Sequence, residues 1–392
     1  MMADGRPRRP ARVGHVWHLG LVVLVTASPP AAAQTGATRV QDSAGVVIMT
    51  STGDDRVAPW VLTPVRRIGG ADTGVLAFPP LGREHVAVDG RGLIHVLDTL
   101  RKHVVVLDTT GRVVRVIGAP GTGPGQLRLP ETLMVWGDGT VEIKDPVRTA
   151  LIRFGPDGQF VAELALPRDR TRYPQGRVHR LGDTAFVVVV GYESEHWQYR
   201  LLMETPTDTG LTAELTVPSR GLRRVQCASF ARPTYFSPEL VLGAGDGLVA
   251  VNSQPEYVIN LFQAGRLTSS VRRSTALDPG GSPALAQRYP EGFRIALPEG
   301  RGCTVDVEVL AAEFGVEASL PSVAAIGIDR AGRLWVERYS ASRANRRVDV
   351  FERGSYVGTL PIPLPYGFVG DLAIVPSKPE SRGGLDVLRS TP

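Results

Sequence analysis

Residues 85–98 read HVAVDGRGLIHVLD, and residues 104–111 read VVVLDTTG. Together they contain an apolar run, a glycine turn, a second run that ends in aspartate, a short loop and a third run that ends in another glycine turn. The same pattern recurs 47 positions further along the chain, where it pairs Gly90 with Gly137, Asp98 with Asp145 and Gly111 with Gly158. A fourth apolar run follows in each copy. Short runs separated by tight turns predict a repeated four-stranded antiparallel sheet.

Fainter copies of this unit cover residues 178–210, 240–275 and 323–360. The last unit, residues 368–388, is too short for a whole sheet, and the N-terminal runs 46–49 and 61–68 supply its missing strands. Because one four-stranded sheet cannot bury both of its faces, such sheets are stable when they stack around an axis. The sequence therefore predicts an all-β fold, a six-bladed β-propeller of four-stranded antiparallel blades whose last blade is closed by N- and C-terminal strands.

Residues 278–320 fit no blade and form one long insertion, unless they hide a seventh blade. Within the insertion, residues 305–314 suit either a helix or a strand. The insertion and residues 219–239 each link an outer strand to the next inner strand, so both are expected on the same face of the ring. Cys227 and Cys303 would then lie on neighbouring connections. They form a disulfide or remain two unpaired thiols.

The first 33 residues are typical of a secretory signal peptide. An arginine-rich start precedes the apolar stretch 19–27, and three alanines, Ala31 to Ala33, provide small residues for cleavage. This apolar stretch is too short to span a bilayer, which takes about 20 residues; the alternative is a retained amphipathic anchor. We expect residues 34–392 to form the mature propeller, exported to the periplasm or the extracellular space, without a transmembrane segment.

The net charge of +5 does not indicate a nucleic-acid partner. Four arginines and one aspartate lie within the first 33 residues, so the mature chain carries a charge of only about +2. Nucleic-acid binding surfaces are more strongly and more locally basic than this. The densest basic cluster, residues 338–347, lies in a loop of the fifth blade. It is either a solvated loop or a contact for an anionic surface.

The first unit resembles NHL repeats, because Asp98, His103 and Leu107 occupy the Asp, Arg and Phe positions of that pattern. His103 departs from it. The stretches DSAGVVIMTS at 42–51 and GTGPGQL at 121–127 resemble exported bacterial six-bladed propeller proteins. This resemblance covers nearly the whole mature chain and implies a fold, not a reaction, since propellers of this type include binding scaffolds, lactonases and lyases.

The resemblance to metal-dependent lactonases and lyases implies a site at the mouth of the central channel, where the inner strands begin. The corresponding residues here are Glu84, His85, Glu131, Thr132, Arg177 and Asp371. Glu84, His85, Glu131 and Asp371 could be metal ligands, but the other blades offer apolar or cationic residues there. Ordinary solvated channel residues are the alternative reading.

No nucleophile elbow is present, and neither cysteine has a histidine close in sequence. The sequence therefore favours a non-enzymatic binding or scaffold propeller without a cofactor, which recognises a protein, peptide or glycan of the cell envelope. The alternative is a metal-assisted lactonase or lyase that uses calcium or zinc in the central channel.

Cleavage of the signal peptide gives a first prediction. When the full chain is expressed in a bacterial host with a working export pathway, we expect the mature protein to begin at Gln34, because Ala31 and Ala33 fit the small-residue cleavage pattern. Intact mass spectrometry of the purified protein measures this. An uncleaved N-terminus in the membrane fraction would support the retained anchor instead.

Overall fold

The computed structural model describes residues 37–70, 76–165, 172–173, 178–181, 184–193, 195–204, 209–245, 247–296, 302–342, 345–377 and 383–391. The predicted signal peptide and Arg177 lie outside these ranges. The described chain consists mainly of strands, with a 3₁₀ turn at Arg83–His85 and two helices, α1 (Gly281–Arg288) and α2 (Val307–Phe314). Within these ranges, no helix has the length and apolar character needed to cross a membrane.

Blades 1, 2 and 5 are regular four-stranded antiparallel sheets in which the strands follow one another from the inside to the outside. Blade 1 contains Val86–Val88, Ile94–Asp98, His103–Leu107 and Val113–Ile117. Blade 2 contains Thr132–Val135, Val141–Asp145, Ala150–Phe154 and Phe160–Ala165. Blade 5 contains Val323–Ile328, Leu334–Arg338, Val348–Glu352 and Ser355–Leu360. A short parallel pair, Ala119–Pro120 with Gln126–Leu127, shapes the connection from blade 1 to blade 2.

Blades 3 and 4 carry extra strands. Blade 3 contains Val178–Leu181, Thr184–Glu193, His196–Glu204 and Thr209–Val225, with Arg172–Tyr173 beside its second strand and Ala228–Pro233 beside the far half of its fourth. Blade 4 contains Val241–Gly245, Leu248–Asn252, Val258–Gln263 and Arg266–Arg273, followed outwards by the N-terminal strands Val46–Ser51 and Thr38–Ser43.

Both ends of the chain build blade 6. Its inner three strands are Gly367–Val369, Leu372–Pro376 and Gly384–Thr391, and its outer strand is Val61–Gly69 from the N-terminal region. The register pairs Val61 with Thr391 and Gly69 with Gly384. Strand 61–69 therefore closes the last blade, as the sequence predicts.

The other N-terminal run, 46–49, does not join blade 6 as predicted. It pairs in parallel with Arg266–Arg273 of blade 4. The chain then crosses blade 5, where Ala58 donates its N–H to the carbonyl oxygen of Thr359 at 3.2 Å. Residues 38–69, here called the N-terminal belt, thus cover the outer edges of blades 4, 5 and 6 in turn. Uncovered edges would leave backbone N–H and C=O groups unpaired. The apolar pattern of a single segment does not show which of these edges it will cover.

Apolar side chains fill the spaces between neighbouring blades. In the third strand of blade 1, Val105 and Leu107 pack against blade 6, whereas Val104 and Val106 pack against blade 2. All four side chains are fully buried. Because successive residues of a strand point to opposite faces, one short apolar run serves two interfaces. This explains why the inner runs are continuously apolar and do not alternate with polar residues.

The aspartates of the repeat hold turns. Asp89 and Asp329 each accept N–H groups two and four residues further on at 2.9 Å, in the turn after an inner strand. Asp98 and Asp145 end second strands, are completely buried and accept N–H groups of the following turns. Buried carboxylates need such partners, so the aspartates of the repeat have structural roles.

The insertion forms no blade. Together with residues 219–239 it builds a cap, which contains α1, α2 and the hairpin Phe293–Ala296 with Gly302–Val305. The segment whose pattern suited a helix or a strand contains both, because a strand ends at Val305 and α2 begins at Val307. The cap has its own apolar core, whose fully buried members include Leu285, Leu310 and Phe314. A disulfide joins Cys227 to Cys303, with their Cα atoms 6.5 Å apart.

The turns of blades 1 and 2 give a prediction about packing. The N–H of Gly90 donates to the carbonyl oxygen of Gly137 at 2.9 Å, and a Cβ atom on Gly90 would collide with that oxygen. We expect Gly90→Ala to lower the free energy of unfolding by about 1–3 kcal/mol, as overpacking does. Gly137→Ala is the matched control, because nothing lies within 4 Å of its Cβ position. Chemical denaturation measures both; equal losses would contradict this packing.

Candidate functional site

The ring has two different faces. The crossing face carries the connections from each outer strand to the next inner strand, and the inner strands begin there. The hairpin face carries the turns between inner and second strands, such as the turn after Asp89. Residues 219–239 and 278–320 both leave outer strands, so the cap belongs to the crossing face. The sequence-based expectation of a shared face agrees with this connectivity.

A cavity of about 550 Å³ occupies the centre of the ring. Described inner strands contribute mainly apolar side chains to its wall, which include Val88, Leu133, Leu242, Ile326 and Phe368. Asp89, Asp329 and Arg330 lie at its hairpin end, and Arg83 and Thr132 lie at its crossing end. This volume falls within the usual range of small-molecule pockets, and polar groups lie at both ends of the cavity.

Glu84 and His85 lie next to each other in the 3₁₀ turn before the inner strand of blade 1. His85 Nδ1 accepts the N–H of Gly82 at 3.0 Å, and His85 Nε2 lies 3.6 Å from Glu84 Oε1. Burial lowers the pKa of His85 below 6.5, and the nearby Glu84 carboxylate partly opposes this shift. The imidazole is therefore neutral at pH 7, with one nitrogen already engaged by the backbone.

Glu131 and Thr132 begin the inner strand of blade 2. Glu131 Oε2 lies 3.6 Å from Lys144 Nζ, whose side chain is almost completely buried. Thr132 is also buried and pairs with Lys144 in the strand register. Glu131 thus lies beside a cation on its own blade, and an ammonium partner competes with a metal ion for the same carboxylate.

Asp371 does not belong with the residues at the crossing end. The apolar run that suggested one strand from residue 368 is a hairpin, with its inner strand ending at Val369 and its second beginning at Leu372. Gly370, with φ of 57°, makes the tight turn between them. Asp371 follows in this turn on the hairpin face, 3.1 Å from Arg389. A three-residue strand is too short to stand out from its neighbour in the sequence.

Arg83 lines the central cavity but is not among the residues that the sequence analysis selects. Its guanidinium donates to the carbonyl oxygens of Leu364 and Pro365 at 2.8 Å and lies 3.5 Å from Glu337. It therefore ties the start of blade 1 to the connection between blades 5 and 6. Only its position beside Glu84 could have indicated it.

The crossing face of blades 1 and 2 exposes apolar side chains. Leu129 and Val147 lie close together, because Asp145 accepts the N–H of Leu129 at 3.1 Å and begins the turn that contains Val147. Both are 48% exposed, and Leu100 is exposed on the corresponding turn of blade 1. Exposed apolar groups on one face are a common feature of interaction surfaces.

The described part of the chain contains no group of three or more His, Cys, Asp or Glu side chains that could hold a metal ion. Of the predicted channel-mouth residues, Glu84 with His85 and Glu131 with Thr132 lie at the crossing end of their blades. Asp371 lies on the opposite face, and Arg177 is outside the described residues.

A family model described as a six-bladed β-propeller, DUF5128, matches residues 85–205. These residues include blades 1 and 2, where the repeat is clearest in the sequence. The fold is a six-bladed β-propeller. The finer likeness to NHL repeats stays a prediction. No curated protein matches the sequence.

Solved structures of similar fold cover most of the chain. A DUF4221 family member from Bacteroides vulgatus aligns with a TM-score of 0.50 and 8% identity, over 86% of this chain and 99% of its own. A Bacteroides fragilis protein named as exported aligns with 0.48 and 11%, over 88% and 99%. A virginiamycin B lyase from Staphylococcus aureus aligns with 0.38 and 12%, over 84% and 99%. At such identities, similarity concerns the fold alone.

The proximity of Glu84 and His85 can be tested by titration. Because the pKa of folded His85 lies below the unfolded value of 6.5, acid protonates the unfolded chain first, and stability falls as the pH drops through 6.5. We expect Glu84→Gln to lower the pKa of His85 further, since it removes the carboxylate that raises it. NMR titration of the imidazole measures this, with Glu131→Gln as the control on blade 2. A higher pKa in Glu84→Gln would contradict the assigned pair.

Proposed function

We propose that this protein is a non-enzymatic binding scaffold outside the cytoplasm, whose crossing face recognises a protein, peptide or glycan of the cell envelope. The observation that carries this proposal is the cap. All six sheets have their four strands without the insertion 278–320, so this part of the cap serves no blade. A segment that adds a second apolar core to one face of a complete ring enlarges the surface available to a partner.

The free-energy cost of ordering the cap supports a functional role for it. Ordering its backbone costs on the order of 1–2 kcal/mol per residue. Burial of Leu285, Leu310 and Phe314, together with the disulfide, opposes this cost. Rigid surfaces bind with a smaller entropy loss than flexible loops. A folded and cross-linked cap is therefore better suited to recognition than a loose connection of the same length.

Export is the second part of the proposal. The signal-like residues 1–33 and the disulfide between Cys227 and Cys303 support it, because disulfides persist mainly in oxidising compartments. A partner in the periplasm or outside the cell would meet the crossing face directly.

The test combines cross-linking with affinity measurement. Full-length protein carrying a photo-cross-linker at exposed Glu308 of the cap, or at exposed Asp138 of the hairpin face, is irradiated in its host. We expect a specific adduct from Glu308 only. Binding of the purified partner should weaken at least tenfold in Leu129→Asp, but not in Val161→Asp, which changes a comparably exposed residue on the outer strand of blade 2. Equal adducts from both faces, or equal affinities of both variants, would overturn the proposed face.

A metal-assisted lactonase or lyase is the second candidate, favoured by the pairing of Glu84 with His85 in the turn that leads into the inner strand of blade 1. It requires stoichiometric calcium or zinc in the purified protein and a lactone-opening activity that His85→Ala abolishes. Metal analysis and an activity assay of the wild type and of this variant separate it from the binding scaffold.

A further inference from the structure

Three arginines converge beneath the crossing face of blade 5. Arg273 ends the outer strand of blade 4, Arg338 ends the second strand of blade 5, and Arg347 directly precedes the third. Two carboxylates lie among them: Asp349 of the third strand, and Asp55 of the N-terminal belt. We call these five residues the arginine cage.

The inner half of the cage is buried and closely paired. Asp349 accepts Arg273 Nη1 at 2.7 Å and Arg338 Nε at 2.8 Å, and the Arg273 side chain is only 1% exposed. Thr359 Oγ1 also donates to Asp349 at 2.6 Å. The Asp349 carboxylate is therefore fully paired, and its partners hold this half of the cage in place.

The outer half is more open. Asp55 accepts Arg273 Nη2 at 2.8 Å and Arg338 Nη1 at 2.9 Å. Arg338 Nη2 donates to both Asp55 and Asp349, so Arg338 is already paired with two carboxylates. Arg347 reaches Asp55 only at 3.4 Å, and its side chain is 59% exposed. Most of the Arg347 guanidinium surface therefore remains accessible to a ligand in front of the cage.

A cavity of about 190 Å³ lies there, at the root of the cap. Arg338 and Arg347 contribute positive charge to its wall, Asp278 contributes negative charge, and Ser340 and Asn345 contribute neutral polar groups. The cavity is smaller than the roughly 300–1,000 Å³ of pockets for drug-sized ligands. Arg273, Asp55 and Asp349 lie behind this wall and do not line the cavity. Counted with them, the site holds three arginines and three aspartates, so a ligand of zero net charge keeps it neutral.

We propose that this cavity binds a small zwitterion of the α-amino-acid type, with its carboxylate on Arg347 and its ammonium group on Asp278. The planar guanidinium groups suit a carboxylate. A simple anion would leave Asp278 opposed to it, and a simple cation would face two guanidinium groups. The site is independent of the partner binding proposed above, because it needs only residues of this chain and a free small molecule.

Calorimetric titration of the full-length protein tests the proposal. Glycine, L-alanine and L-serine are compared with acetate and methylammonium, each of which carries one of the two charges, and with glycylglycine, in which the charges lie further apart. We expect saturable binding of at least one amino acid, at least tenfold weaker binding of each single-charge compound, and weaker binding of the dipeptide.

Substitutions test which residues bind the two charged groups of the amino acid. Arg347→Ala and Asp278→Asn should each weaken amino-acid binding at least tenfold, whereas Arg272→Ala, at an exposed arginine on the outer strand of blade 4, should not. Circular dichroism confirms that each variant folds. The proposal is overturned if no amino acid binds at 10 mM ligand, if acetate binds as tightly as the amino acids, or if Arg272→Ala has the same effect as Arg347→Ala.

Discussion

The structure depends on sheets that are apolar on both faces. Val104 and Val106 face one neighbouring blade while Val105 and Leu107 face the other, so no blade can be removed without exposing the cores on both sides. A ring is the arrangement in which every such face is covered. The turns at the ends of the strands carry polar residues such as Asp89 and Asp98, and the two faces of the ring are the places where chemistry or recognition can occur.

The N-terminal belt extends this closure to the outer edges. It forms the fourth strand of blade 6 and lies against the outer strands of blades 4 and 5, and it delivers Asp55 to Arg273 and Arg338. One segment thus covers edges and contributes charge to a site. The cap and the arginine cage are neighbours, because the insertion begins at Asp278 beside the cavity in front of the cage, and Pro321 and Ser322, which directly follow its last residue, line the same cavity. The cap and the arginine cage therefore share the crossing face of blades 3 to 5, whereas Leu129 and the Glu84–His85 pair lie at the crossing ends of blades 1 and 2.

Much of the fold could be predicted from the sequence, because turns and apolar runs are local signals. Blades 1, 2 and 5, the closure of blade 6 by strand 61–69 and the insertion all followed from such signals. The position of strand 46–51 could not be predicted, since its pairing with blade 4 depends on contacts distant in sequence. The candidate site was harder to predict from the sequence than the fold. Asp371 was misplaced because Gly370 hides a turn inside an apolar run, and Asp55 carries no local mark of its three arginine partners.

The belt also has a consequence for the order in which the molecule assembles. Asp55 meets Arg273 across 218 positions of sequence, and Arg67 meets Asp386 across 319. A ribosome that has produced the belt must therefore make most of the remaining chain before this segment finds its partners. Contacts of such long range are slow to form. The belt gains its partners one after another as blades 4, 5 and 6 are made, and the ring closes only with the last strand, Gly384–Thr391.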